Sequence, residues 1–88
     1  MKRFQDVYVS RSGRYTLGYD TKDKTNFLSI PVANRMVDYE EYYSLRDQEM
    51  NLYQSDETSA LKFADECRNR LHDDRLILPP GSDRGSAV

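Results

Sequence analysis

The chain has one cysteine, one histidine, no tryptophan, three prolines and four glycines among its 88 residues. Each scarcity closes off some chemistry. A single thiol, Cys67, allows neither an internal disulfide framework nor a multi-cysteine zinc site, which agrees with a reducing compartment. One imidazole, His72 in "RLHDDR", has no second histidine or cysteine beside it to complete a metal site. A partly positive ring at a helix end is the simpler reading. The four glycines match neither a phosphate loop nor a dinucleotide fingerprint. No apolar run approaches the roughly 20 residues of a membrane span, and the opening MKRFQDVYVS has a basic pair without an apolar core or cleavage site, so the expected location is the cytoplasm.

The usual catalytic groups are also poorly placed. Cys67 lies in the apolar stripe of an expected helix, where a thiol behaves as a small hydrophobe and no activating base is fixed beside it. Glu40 and Glu41 are neighbours on an expected strand and face opposite ways, so they cannot flank one scissile bond. No catalytic residue, metal ligand or cofactor is assigned, and the chain is expected not to be an enzyme.

What is present is charge, unevenly spread. The whole chain is 38% hydrophobic and 32% charged with a net charge of -2. Residues 1–35 hold seven bases and three acids, residues 36–66 two bases and nine acids, and residues 67–88 four bases and three acids. The acidic middle is either a solvated face or a docking patch for something basic.

Hydrophobic patterning predicts an α+β domain over residues 1–80, with 81–88 as a flexible tail. "FQDVYV" (Phe4 to Val9) and "RYTLGYD" (Arg14 to Asp20) read as strands around the turn Ser10 to Gly13, and "FLSIPV" (Phe27 to Val32) as a third. Pro31 lacks an amide donor, which places its strand at an edge or a bend; a free edge there would be able to pair two copies. From Met36 to Leu45 alternation predicts a fourth strand, with Val37, Tyr39, Glu41, Tyr43 and Leu45 on a core face and Met36, Asp38, Glu40, Tyr42 and Ser44 on an acidic wet face. The helical alternative for this stretch remains open.

"SLRD" sets Ser44 three residues before Asp47, a helix-start pattern for a short helix from Arg46 to Tyr53 that buries Met50 and Tyr53 or Leu52. Ser55, Asp56 and Glu57 then open a longer helix, Asp56 to His72, with Ala60, Ala64, Cys67 and Leu71 along its apolar stripe. Leu76 to Leu78 form a short edge strand or pack on that helix. Three to five antiparallel strands from the N-terminal half, followed by a short and a longer helix packed on one face, are the expected architecture.

The functional lead is the dense stretch of tyrosines and carboxylates. Tyrosine buries large area at low entropic cost, while adjacent carboxylates steer a cationic partner. Asp38, Glu40 and Tyr42 on the strand, with Asp47 and Glu49 on the next helix, form the candidate partner-binding set. The alternative is a small nucleic-acid-binding regulator, in which Arg3, Arg11, Arg14, Lys22, Lys24 and Arg35 hold phosphates and Tyr8, Tyr15 and Tyr19 stack on bases. The acidic middle and a pI near 5.3 weigh against it.

Through "LSIPVANRMVDYEEYYSL" and "ALKFADECRNRLHDDRLILPPGSDRG" the chain resembles a group of small, uncharacterised bacterial single-domain proteins, and its makeup is similar to immunity proteins of bacterial toxin systems. That resemblance assigns no residue. It implies a non-enzymatic protein that inhibits a basic toxin or nuclease.

Overall fold

Two polar four-residue turns divide the first half of the chain, and each ends on a basic residue held in the left-handed region, Arg14 and Lys24, both at φ 54°. Around them run β1 (Phe4–Ser10), β2 (Tyr15–Asp20) and β3 (Thr25–Ala33), followed by β4 (Asp38–Leu45). The structure, a computed structural model, describes residues 2–80 and 84–88. Two helices follow, α1 (Asp47–Ser55) and α2 (Glu57–Arg68), then a 3-10 turn at Asp73–Arg75 and a short strand β5 (Ser86–Ala87). All strand pairs are antiparallel, in the order β1-β2-β3-β4, with β5 pairing to β3. This is the α+β architecture that the patterning predicts.

The helices cover one face of the sheet. Leu17, Leu28, Ile30, Val32, Tyr43 and Leu45 point toward Met50 and Tyr53 of α1 and Ala60, Phe63, Ala64 and Cys67 of α2, forming one buried cluster. Full burial of each aliphatic side chain contributes about 1.5–3 kcal/mol. The hairpin loop is tied to α2 as well, since Arg68 Nη2 donates to the carbonyls of Gly13 and Arg14 at 2.6 and 2.7 Å.

Several boundaries differ from the sequence reading. Pro31 lies in β3, which is a central strand, so no free edge exists there. Its carbonyl accepts from the Val88 amide, and the N and O of one strand residue point to the same side. The missing N–H therefore faces the gap between β2, whose pairing with β3 stops at Ser29, and β5, which begins at Val32. Val37 is exposed in the β3–β4 turn beside Met36 rather than buried, because β4 starts only at Asp38.

Glu49, not Ser44, completes the α1 start: its carboxylate accepts the Arg46 amide at 2.9 Å, while Ser44 stays inside β4. Met50 and Tyr53 are buried and Leu52 is exposed. The α2 cap is Asp56, whose side chain accepts from the Ser59 amide. α2 ends at Arg68 instead of His72, with Arg70 at φ 60° turning the chain as a glycine commonly does, and Leu71 is left exposed.

The C-terminal segment is not free. Where a flexible tail is expected, Arg84–Val88 lies along the sheet, and residues 81–83 fall outside the described residues. Arg84 explains the attachment: Nε and Nη2 reach Glu41 at 2.7 and 3.1 Å, and Nη1 and Nη2 reach Asp73 at 2.8 and 2.9 Å. Glu41 thus sits on the core face, as alternation requires of its position, but as a buried ion rather than as an outlier. Leu76 bridges to Tyr43 and the Ile77 amide donates to the Tyr42 carbonyl, so this segment covers part of the outer edge of β4.

Candidate functional site

Register across the sheet decides which side chains share the face that no helix covers. Phe4 and Asp6 pair with Asp20 and Gly18, Gly18 pairs with Phe27, and Phe27 and Ser29 pair with Ser44 and Tyr42. Opposed residues project to the same side. Pro31 and Ala33 opposite Glu40 and Asp38 complete the row. Asp38, Glu40 and Tyr42 therefore stand together on the uncovered face.

Aromatic packing builds one end of that face. Tyr42 stacks on Phe4 with ring centroids 3.8 Å apart, and both meet the edge of the fully buried Phe27. Gly18 makes this approach feasible, because a Cβ there would collide with the Phe27 ring and the Gln5 carbonyl. Arg3 lies over the Phe4 ring while its Nε and Nη2 donate to the buried Asp20 carboxylate at 3.0 and 3.1 Å. Hydrogen bonding from Arg3 holds the Asp20 carboxyl below its ordinary range.

The carboxylates occupy the rest. Asp38 is exposed, with no hydrogen bond or ion pair among the described residues. Glu40 is half-buried and accepts from Ser29 Oγ at 2.8 Å. Burial pushes its carboxyl above the ordinary range; the Ser29 hydroxyl opposes that shift and the Asp6 carboxylate adds to it. Burial likewise raises the half-buried Tyr42 hydroxyl, with Glu40 and Asp6 contributing. Asp6 is thus a third carboxylate on this surface that sequence reasoning missed; only the register from β1 across to β4 could have shown it.

Asp47 and Glu49 belong elsewhere. β4 rises about 3.4 Å per residue, so α1 begins at the far end of the strand from Asp38. Asp47 is exposed and accepts from Asn26 Nδ2 at 2.8 Å. Glu49 accepts from Arg75 Nη1 at 2.8 Å as well as from the Arg46 amide. Burial tends to raise the Glu49 carboxyl, but the Arg75 and Arg46 hydrogen bonds outweigh it and hold the carboxyl below its usual range. A cleft of about 550 Å³ adjoins this end of the sheet, where Lys24, Arg46 and Arg75 meet Asp47 and Asp74. Its mixed signs favour no one ligand charge.

The thiol and the imidazole are engaged in packing. Burial pushes the Cys67 thiol up to about 12, which leaves it protonated and inert at neutral pH. His72 Nε2 lies 2.7 Å from Glu66 Oε1, and its ring stacks on Phe63 at 4.6 Å. Among the described residues no group of three or more His, Cys, Asp or Glu side chains is placed to hold a metal ion, and no helix is long and apolar enough to cross a membrane. Of the residues named for base stacking and phosphate contact, Tyr15 is buried and Arg3 is committed to Asp20, whereas Arg11, Arg14, Tyr8 and Tyr19 are exposed.

No protein-family model, curated protein or solved structure matches this chain.

Proposed function

We propose that the protein is a non-enzymatic binding protein that captures a basic partner on the uncovered sheet face, in the manner of a bacterial immunity protein or inhibitor occluding a basic toxin or nuclease. The observation carrying this reading is that Asp38, Glu40 and Tyr42 share the one face free of helices, and that no arginine among the described residues neutralises Asp38 or Glu40. The acidic groups supply encounter rate and orientation, and a nuclease that expects phosphates would meet carboxylates instead. Exposed ion pairs contribute little each, so affinity would come from apolar and aromatic area around Tyr42.

Affinity capture with the native chain and with an Asp38→Lys, Glu40→Lys variant, matched in fold by circular dichroism, tests the reading. Basic proteins retained by the native chain should be lost from the variant; equal retention overturns it. Salt-dependent binding of a single-stranded oligonucleotide, abolished by replacing Arg11 and Arg14, would put nucleic-acid recognition in its place.

A further inference from the structure

Four consecutive exposed residues, Arg35, Met36, Val37 and Asp38, run from the β3–β4 turn into the first position of β4. Met36 is 81% exposed, more than any other large apolar side chain among the described residues, and Val37 is 57% exposed. The backbone beneath them is held. Asn34 Oδ1 accepts from the Met36 and Val37 amides, both at 2.8 Å, and the Asn34 amide donates to the Val37 carbonyl at 3.0 Å. Apolar side chains on a tip that is already ordered lose less entropy when another surface covers them. Arg35 and Asp38 bracket the apolar pair, and neither side chain has an ion pair or hydrogen bond among the described residues.

We propose that this tip is a self-association surface: a second copy of the chain packs on it across a two-fold axis, Arg35 of each copy meeting Asp38 of the other and Met36 meeting Val37. The order base, apolar, apolar, acid is its own complement when read backwards, which is what a contact between identical patches requires. Opposed in this way, the two tips form an ion pair at either end and bury the apolar residues between them. Charge excludes the other occupants. A basic surface would repel Arg35 and an acidic one would repel Asp38, whereas an apolar surface would strip water from both and pair neither. Arg35 therefore sets this contact apart from the capture of a basic partner. Asp38 belongs to both surfaces, so a copy held by that partner cannot take up a second copy. Four residues a side fall well short of the roughly 800 Å² per partner of a stable interface, which makes the dimer weak and reversible on dilution.

Sedimentation equilibrium of the intact chain at concentrations up to about 1 mM, the range of weak contacts, tests the assignment, with the Met36 and Val37 methyl signals followed by NMR over the same dilution series. A monomer–dimer equilibrium is expected, and these methyls should move with it. Arg35→Asp and Asp38→Arg should each weaken self-association at least about tenfold, because each turns both ion pairs into repulsions. Mixed with one another, the two variants should associate about as tightly as native copies, since a tip acidic at both ends then meets a tip basic at both ends. Met36→Ser, which removes apolar contact on both sides of the axis, should also lose at least about tenfold. The assignment is overturned by a chain that stays monomeric throughout, by a dimer that leaves the two methyl signals unmoved, by undiminished association of Met36→Ser, or by a mixture no tighter than either charge variant alone.

Discussion

Replacing Arg84 by methionine keeps the aliphatic stem and deletes the guanidinium, and the surroundings set the expected loss. Glu41 is 8% exposed and would keep only the Tyr43 hydroxyl, which donates to Oε1 at 2.8 Å. Stranding one charge of a buried pair costs about 3–5 kcal/mol. Arg84 is itself 13% exposed, so water reaches the vacated position and the lower end, about 3 kcal/mol, applies. The Asp73 arm lies at the surface and adds less than about 1 kcal/mol. A domain of this length is stable by only about 0.05–0.15 kcal/mol per residue, so the midpoint of thermal unfolding should fall by about 12–24 °C.

Urea unfolding followed by circular dichroism measures this loss directly, with the slope checked for two-state behaviour. The discriminating variant is Arg84→Met with Glu41→Met. Removing both charges should recover about 2 kcal/mol relative to the single variant, since a buried pair replaced by apolar groups is close to neutral; the Tyr43 hydroxyl still has the Cys67 carbonyl at 3.4 Å. A single-variant loss under about 1 kcal/mol, or a double variant less stable than Arg84→Met alone, would refute the reasoning.

Glu40→Gln should raise the unfolding midpoint at pH 7. Burial raises the native Glu40 carboxyl, so this group's stabilisation is complete below its unfolded value and is lost as pH rises through the native one; the advantage of Gln should vanish below about pH 4. Gly18→Ala should destabilise by about 1–3 kcal/mol and disturb the Phe4, Phe27 and Tyr42 ring signals, since its Cβ meets backbone as well as Phe27. Cys67 should resist a thiol reagent at pH 8 in the folded protein and label promptly in urea, because burial keeps it protonated and inaccessible.

Alternation in "DYEEYYSL" was enough to sort the faces of β4, because a strand's side-chain period is two whatever its neighbours are. The same logic placed Glu41 inward, yet nothing local showed that Arg84, 43 residues away, would meet it. Helix ends were less legible: a left-handed Arg70 stops α2 where no glycine announces it. Pro31 misled because a missing donor is harmless at an edge and equally harmless opposite a break in the neighbouring strand. Nearness along the chain joins Asp47 and Glu49 to the strand-face residues Asp38, Glu40 and Tyr42, whereas cross-strand register keeps those three together, adds Asp6, and sends Asp47 and Glu49 to the other end of the sheet. Such register depends on which turns close, and both turns here close on a basic residue in an uncommon conformation.

The grip of Arg84 on Glu41 also has a bearing on the order of events as the chain folds. Closing so long a loop before the intervening helices have docked would cost entropy with little return, which puts this contact after the rate-limiting barrier. Its loss would then shorten the lifetime of the native molecule by accelerating unfolding while refolding proceeds at nearly the native speed. Stopped-flow traces in which Arg84→Met chiefly slows refolding would instead assign the contact to the nucleus.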